Sequence, residues 1–169
     1  MCCNKPIILI VSLLLLFIIV NIFLFCFCIT SYKQPNILQA INSQIQVGNS
    51  FTPLVLDTNR IQEGNAISHD NSNPEIIISQ SGIYLVNYSV TGSLETGGTP
   101  TFFEVLLNQD NTLVPNSTLT SLVVPSGQLN TLSGSTIIEV NGSSVISLVG
   151  NSSSEIIYQD VSISVIKIA

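Results

Sequence analysis

The stretch "SGIYLVNYSVTGSL", residues 81–94, decides how the chain is read. Its Ile, Val, Tyr and Thr content predicts a β-strand. Yet Ile83, Tyr84, Leu85 and Val86 follow one another without a polar break. A strand with one wet face alternates with period two, whereas a strand apolar on both faces needs cover on both. The parity sets are Ile83, Leu85 and Asn87 against Tyr84, Val86, Tyr88 and Val90. What covers the second set's opposite face is the question that the rest of the sequence has to answer.

Outward from that strand, the chain after Phe51 is a series of short apolar or alternating runs broken by Gly, Pro, Asn and Ser clusters. Strands are predicted over 51–57, 65–70, 74–79, 82–92, 101–108, 117–124, 134–140, 143–149 and 161–168. No sustained helical period competes with them. Strands and turns recurring about every 8 to 12 residues predict an all-β, two-sheet sandwich, either a jelly roll or an immunoglobulin-like fold.

Composition narrows the function. Only 8% of the 169 residues are charged, against about 25% in an average chain, so the surface is largely Ser, Thr, Asn and Gln. The net charge is -6, and every acid lies after residue 56. Without clustered Lys and Arg there is no footprint for phosphate, which excludes a nucleic-acid partner.

Residues 6–29, "PIILIVSLLLLFIIVNIFLFCFCI", carry no charge and only Ser12 and Asn21 as polar interruptions. As a helix they would cover about 35 Å, enough for a bilayer core of about 30 Å. The expectation is a membrane anchor over 1–30, with a signal sequence as the rival. "LFCFCITSY" offers no small-residue cleavage site, which favours the uncleaved anchor. Lys5 before the segment and Lys33 after it lean toward a single-pass placement with the C-terminal domain outside, extracellular or on a spore or virion surface. The cysteines, Cys2, Cys3, Cys26 and Cys28, all belong to this region, so residues 29–169 hold no internal disulfide. Cys2 and Cys3 are acylation candidates if a membrane is near, and the cysteine spacing with a single distant His69 does not fit zinc.

Residues 31–48 read as a linker. Leu38, Ile41 and Ile45 have helical spacing, but fewer than two heptads fit and about three to four are needed for a coiled coil. Pro35, Asn36, Gly48 and Asn49 favour an irregular tether. The head domain is then 49–169.

Three pieces, "ISQSGIYLVNYSV" (78–90), "LSGSTIIEVNGSSVISLVG" (132–150) and "VSISVIKIA" (161–169), resemble in their order the globular heads of the complement-collagen and tumour necrosis factor-like superfamily. The charge-poor, disulfide-free style is most similar to the C-terminal head of the collagen-like exosporium glycoprotein of Bacillus spores. The resemblance covers about residues 45–169. It implies a jelly roll of about ten strands and a homotrimer about a threefold axis. The trimer would supply the second cover. Tyr84, Val86, Tyr88 and Val90 are assigned to the subunit interface, because rings with polar tips suit interfaces. Unlike those relatives, the chain has no Gly-X-Y stalk.

No catalytic, cofactor or metal constellation emerges. His69, in "ISHDNSN", has Asp70 beside it, but there is no G-x-S-x-G elbow to present a serine, and the glutamates are scattered singly. Asp57, Asp70 and Asp110 sit in turn-like contexts that Asn and Asp favour without calcium. Sequons occur at Asn87, Asn116, Asn141 and Asn151. Asn116, Asn141 and Asn151 are the candidate glycosylation sites in loops, and Asn87 falls in a strand expected to be buried. The expected function is a non-enzymatic, membrane-anchored homotrimeric head for adhesion, recognition or spore or envelope surface structure, with an unknown surface or receptor ligand. The alternative is a type II anchored signalling ligand of the tumour necrosis factor kind, and a secreted polysaccharide-acting enzyme has the least support.

Overall fold

The computed structural model describes residues 5–30, 34–94, 99–123 and 127–169; in the N-terminal helix it describes side chains over 11–23. Cys2 and Cys3 lie outside the described residues, as do the side chains of Cys26 and Cys28. The chain divides into two units, Met1–Gln34 and Pro35–Ala169.

The first unit contains α1 (Lys5–Thr30). Residues 11–23 are exposed all round, and Asn21 satisfies its amide within the helix by donating to the Phe17 carbonyl at 2.7 Å. Among the described residues, no helix is long and apolar enough to cross a membrane. This corrects the expected single-pass membrane placement through residues 6–29.

The second unit is all-β. Its strands are β1 (Ile37–Asn42), β2 (Gln46–Gly48), β3 (Thr52–Pro53), β4 (Thr58–Glu63), β5 (Ile67–His69), β6 (Glu75–Ile78), β7 (Gly82–Ser93), β8 (Thr101–Gln109), β9 (Thr112–Leu113), β10 (Leu119–Val123), β11 (Asn130–Val140), β12 (Ser144–Ser152) and β13 (Ile156–Lys167). They form two antiparallel sheets. A six-stranded sheet has the order β11-β7-β13-β1-β4 with β2 added on β13, and a seven-stranded sheet has the order β10-β8-β12-β6-β5 with β3 on β12 and β9 on β8.

The core lies between the sheets. From the first come Leu38, Ala40, Tyr84, Val86, Tyr88, Val90, Ile163 and Val165; from the second, Ile76, Ile78, Phe103, Val105, Leu107, Ile146 and Leu148. All of them are inward members of strands whose burial alternates. Gly150 makes room for the ring of Tyr158, which a Cβ at that position would strike. Tyr158 in turn meets Phe103 edge-on, with ring centroids 6.4 Å apart.

Two sequence expectations are corrected. The linker is not a tether: β1 and β2 occupy most of 37–48, and the β unit begins at Pro35 rather than residue 49. Leu38 and Ala40 face the core while Ile37, Gln39 and Ile41 face out, so period two wins over the apparent helical spacing. Conversely, the strand expected over 51–57 shrinks to Thr52–Pro53 and an isolated bridge from Leu56 to Asn73, because a proline removes a ladder donor.

Candidate subunit interface

The expected interface residues fall inside the monomer. Tyr84, Val86 and Val90 are fully buried and Tyr88 nearly so, all in the core of a single chain. Their polar tips are satisfied or enclosed within that chain: Tyr84 Oη donates to the Gln80 carbonyl at 2.8 Å, and Tyr88 Oη donates to the Ser117 carbonyl. Burial pushes both hydroxyl pKa values up. The assignment of these four residues to a subunit contact is therefore corrected. The opposite sandwich sheet, and not another copy, covers them.

The face left without cover is the other one. In register across β11, β7, β13 and β1 run Ile137, Leu85, Ile166 and Ile37, an aliphatic row four strands wide. Beside it runs Ser135, Asn87, Ser164 and Gln39, and then Ser133, Ser89, Ser162 and Ile41. None of these positions is charged. Ile137 is 62% exposed and Ile83, next to the aliphatic row, is 40% exposed. Ser89 and Ser133 hydroxyls pair across the strands at 2.9 Å, and Thr91 with Thr131 at 2.9 Å. Charges lie around these rows: Glu139 on one edge strand, Arg60 and Glu63 on the other, Asp160 at the irregularity of β13 beyond Ser162, and Lys167 at one end, where its ammonium is held by Gln80 Oε1 at 3.3 Å and lies 5.8 Å from the Tyr84 ring centroid.

Such a face is incomplete by itself. A solvated sheet face normally carries polar and charged residues opposite the core, and depletion of charge at the centre with a polar rim is the compositional mark of an interface. Asn87, expected to be buried among core residues, is instead half-buried on this outer face. The signal that would have found the face was already in the sequence: the alternate serines Ser133 and Ser135, and Ser162 and Ser164, which partner Ser89 and Asn87 on the neighbouring strands.

The remaining candidates lie apart. His69 is buried, with Nδ1 2.6 Å from Asn59 Oδ1 and Nε2 donating to the Asn73 carbonyl at 2.8 Å, so both ring nitrogens are engaged and neither meets a serine. Asp110 accepts from the Val145 amide at 2.8 Å and the Ser144 hydroxyl at 2.9 Å, fastening the β8–β9 turn to β12. Asp57 Oδ2 lies 3.4 Å from the Ser43 amide and hydroxyl, and Asp70 is exposed. No group of His, Cys, Asp and Glu among the described residues gathers to hold a metal. Asn116 and Asn141 are exposed, whereas Asn151 is half-buried in β12 and donates to Glu104 at 2.8 Å.

No family model and no curated protein matches the sequence. Solved structures do match the fold. Murine APRIL at pH 5.0 superimposes with a TM-score of 0.55 at 13% identity, covering 80% of this chain and 100% of that one. The globular domain of zebrafish complement 1qA protein gives 0.56 at 6% identity, covering 79% of this chain and 98% of that one. The β unit thus has the jelly-roll fold shared by the tumour necrosis factor-like and complement globular domains, in keeping with the fold that the sequence resemblance implied.

Proposed function

We propose that the chain is a non-enzymatic, homotrimeric surface head for recognition, adhesion or the structure of a spore or envelope surface, and that it assembles through the outer face of the six-stranded sheet. The observation that carries this is the uncharged face of Ile37, Leu85, Ile137 and Ile166 with its flanking Ser and Asn rows. Water gains little from a row of aliphatic side chains, and association that covers it gains about 25 cal/mol per Å² of apolar area removed. The fold likeness to murine APRIL and the zebrafish complement domain supports a recognition role over chemistry. The charge-poor composition and the absence of cysteine after Cys28 support the spore- or envelope-surface reading, since the resemblance to the exosporium glycoprotein head rests on that style.

Sedimentation equilibrium of residues 35–169, which hold both sheets and their core, tests the assembly. A trimer at micromolar concentration is the expected result. Leu85→Lys with Ile137→Lys should yield a folded monomer with unchanged circular dichroism, because both side chains point away from the core. A wild-type chain that sediments as a monomer overturns the proposal.

A further inference from the structure

On the outer face of the seven-stranded sheet, between β8, β12 and the chain before β3, lies a depression of about 550 Å³ lined by Phe102, Glu104, Asn151, Ser50, Thr101 and Ser153. Its size falls within the range of about 300 to 1,000 Å³ typical of small-ligand sites. We propose that it binds a neutral saccharide.

The lining is one apolar surface set among donors and acceptors. Phe102 is 62% exposed, and its cross-strand neighbour Leu122 is 50% exposed, so two apolar side chains stand side by side on adjacent strands. Next to Phe102 along β8 is the carboxylate of Glu104. Asn151 Nδ2 donates to its Oε2 at 2.8 Å and Thr120 Oγ1 to its Oε1 at 3.4 Å. Thr101 and Ser153 hydroxyls pair at 2.7 Å, and Ser152 Oγ donates to the Phe102 carbonyl at 3.1 Å. The polar groups are therefore fixed before any ligand arrives, and ordering them costs little on binding.

The chemistry selects the ligand. An anion meets the Glu104 carboxylate and a chain of net charge -6. An apolar molecule would strip water from Glu104 and Asn151 and gain little beyond Phe102 and Pro100 in return. A neutral sugar lays a C–H face on the ring, donates hydroxyls to a carboxylate that makes charge-assisted hydrogen bonds, and accepts from the second Asn151 amide hydrogen. The sequon at Asn151 falls within the site, so a glycan attached there would occupy it. The test accordingly uses protein made without N-glycosylation.

Saturation-transfer NMR on the full chain, held in a non-glycosidic detergent because α1 exposes its apolar side chains, would be run with N,N′-diacetylchitobiose, lactose, maltotriose and putrescine. Transfer to at least one sugar, reduced at least tenfold by Phe102→Ala and by Glu104→Gln with the thermal midpoint of Glu104→Gln unchanged, is expected. No transfer to any of the sugars, transfer unchanged in Glu104→Gln, or displacement of the sugar by putrescine overturns the proposal. The site supplies a ligand for the recognition reading and rests on it only for its biological use. Sedimentation of the same sample reads the assembly separately, so a trimer that binds none of the sugars refutes the site and leaves the assembly standing.

Discussion

At the residue scale, two buried tyrosines that look alike in sequence behave differently in the structure. Tyr88 Oη donates to the Ser117 carbonyl, next to a buried Ser117 hydroxyl that accepts from the Leu107 amide at 3.2 Å and donates to the Val114 carbonyl at 2.8 Å. Tyr158 Oη is buried with no hydrogen-bond partner. Tyr88→Phe strands a buried carbonyl and should cost about 1 to 3 kcal/mol, whereas Tyr158→Phe removes an unpaired group and should be neutral or stabilising; urea denaturation of the two variants separates these outcomes. Burial also pushes the Tyr158 hydroxyl up to about 12, with Tyr84 and Tyr88 raised as well. An acid whose pKa is raised on folding keeps its proton longer in the native state than in the unfolded chain. Stability is therefore intact below about pH 10, the ordinary tyrosine value, and falls between there and about pH 12. Thermal midpoints across that window should drop, less steeply for Tyr158→Phe.

At the element scale, legibility followed pattern strength. β6, β7, β8, β12 and much of β13 were readable because inward Ile, Val, Leu, Tyr and Phe recur at every second position. β4, "TNRIQE", was not, since most of it is exposed and it carries no apolar alternation; only its pairing to β1 makes it a strand. β1 reads as linker because "ILQAIN" is short and its inward members are Leu38, Ala40 and Asn42, one of them too small and one too polar to announce a core. The interface set was misassigned for a related reason. Periodicity separates two faces but not which one meets the opposite sheet, and the choice was decided by ring polarity when the core in fact took the rings. A chain starting at residue 49 would lose β1 and β2. It should fail to give a dispersed amide NMR spectrum, whereas 35–169 should give one, because removing β1 bares the β13 edge and takes Leu38 out of a close-packed core at a cost of about 2 to 5 kcal/mol for that side chain alone. Asp110→Ala releases the clasp on Ser144 and Val145 and should cost about 1 to 3 kcal/mol, read in the same urea experiment.

At the scale of the whole molecule, the proposed assembly face and the proposed saccharide site lie on opposite sheets, so the first could close without hiding the second. The assembly face has no charge at its centre, so screening has little to act on. If the proposed trimer forms through this face, its dissociation constant should change less than about threefold between 0.05 and 1 M NaCl, because only ion pairs weaken as the Debye length shrinks from above 10 Å to about 3 Å; a steep salt dependence in sedimentation would place the contact on another surface. The order of the six-stranded sheet has a further consequence. β13 (Ile156–Lys167) lies between β7 and β1, so a strand more than a hundred residues after β1 is the one that joins β1 to β7. Until it is in place, β7 and β1 present two open sheet edges, and pairings so distant in sequence form slowly. Loss of Ile156–Lys167 therefore leaves two separate half-sheets, β11-β7 and β1-β4, rather than a smaller version of the same fold.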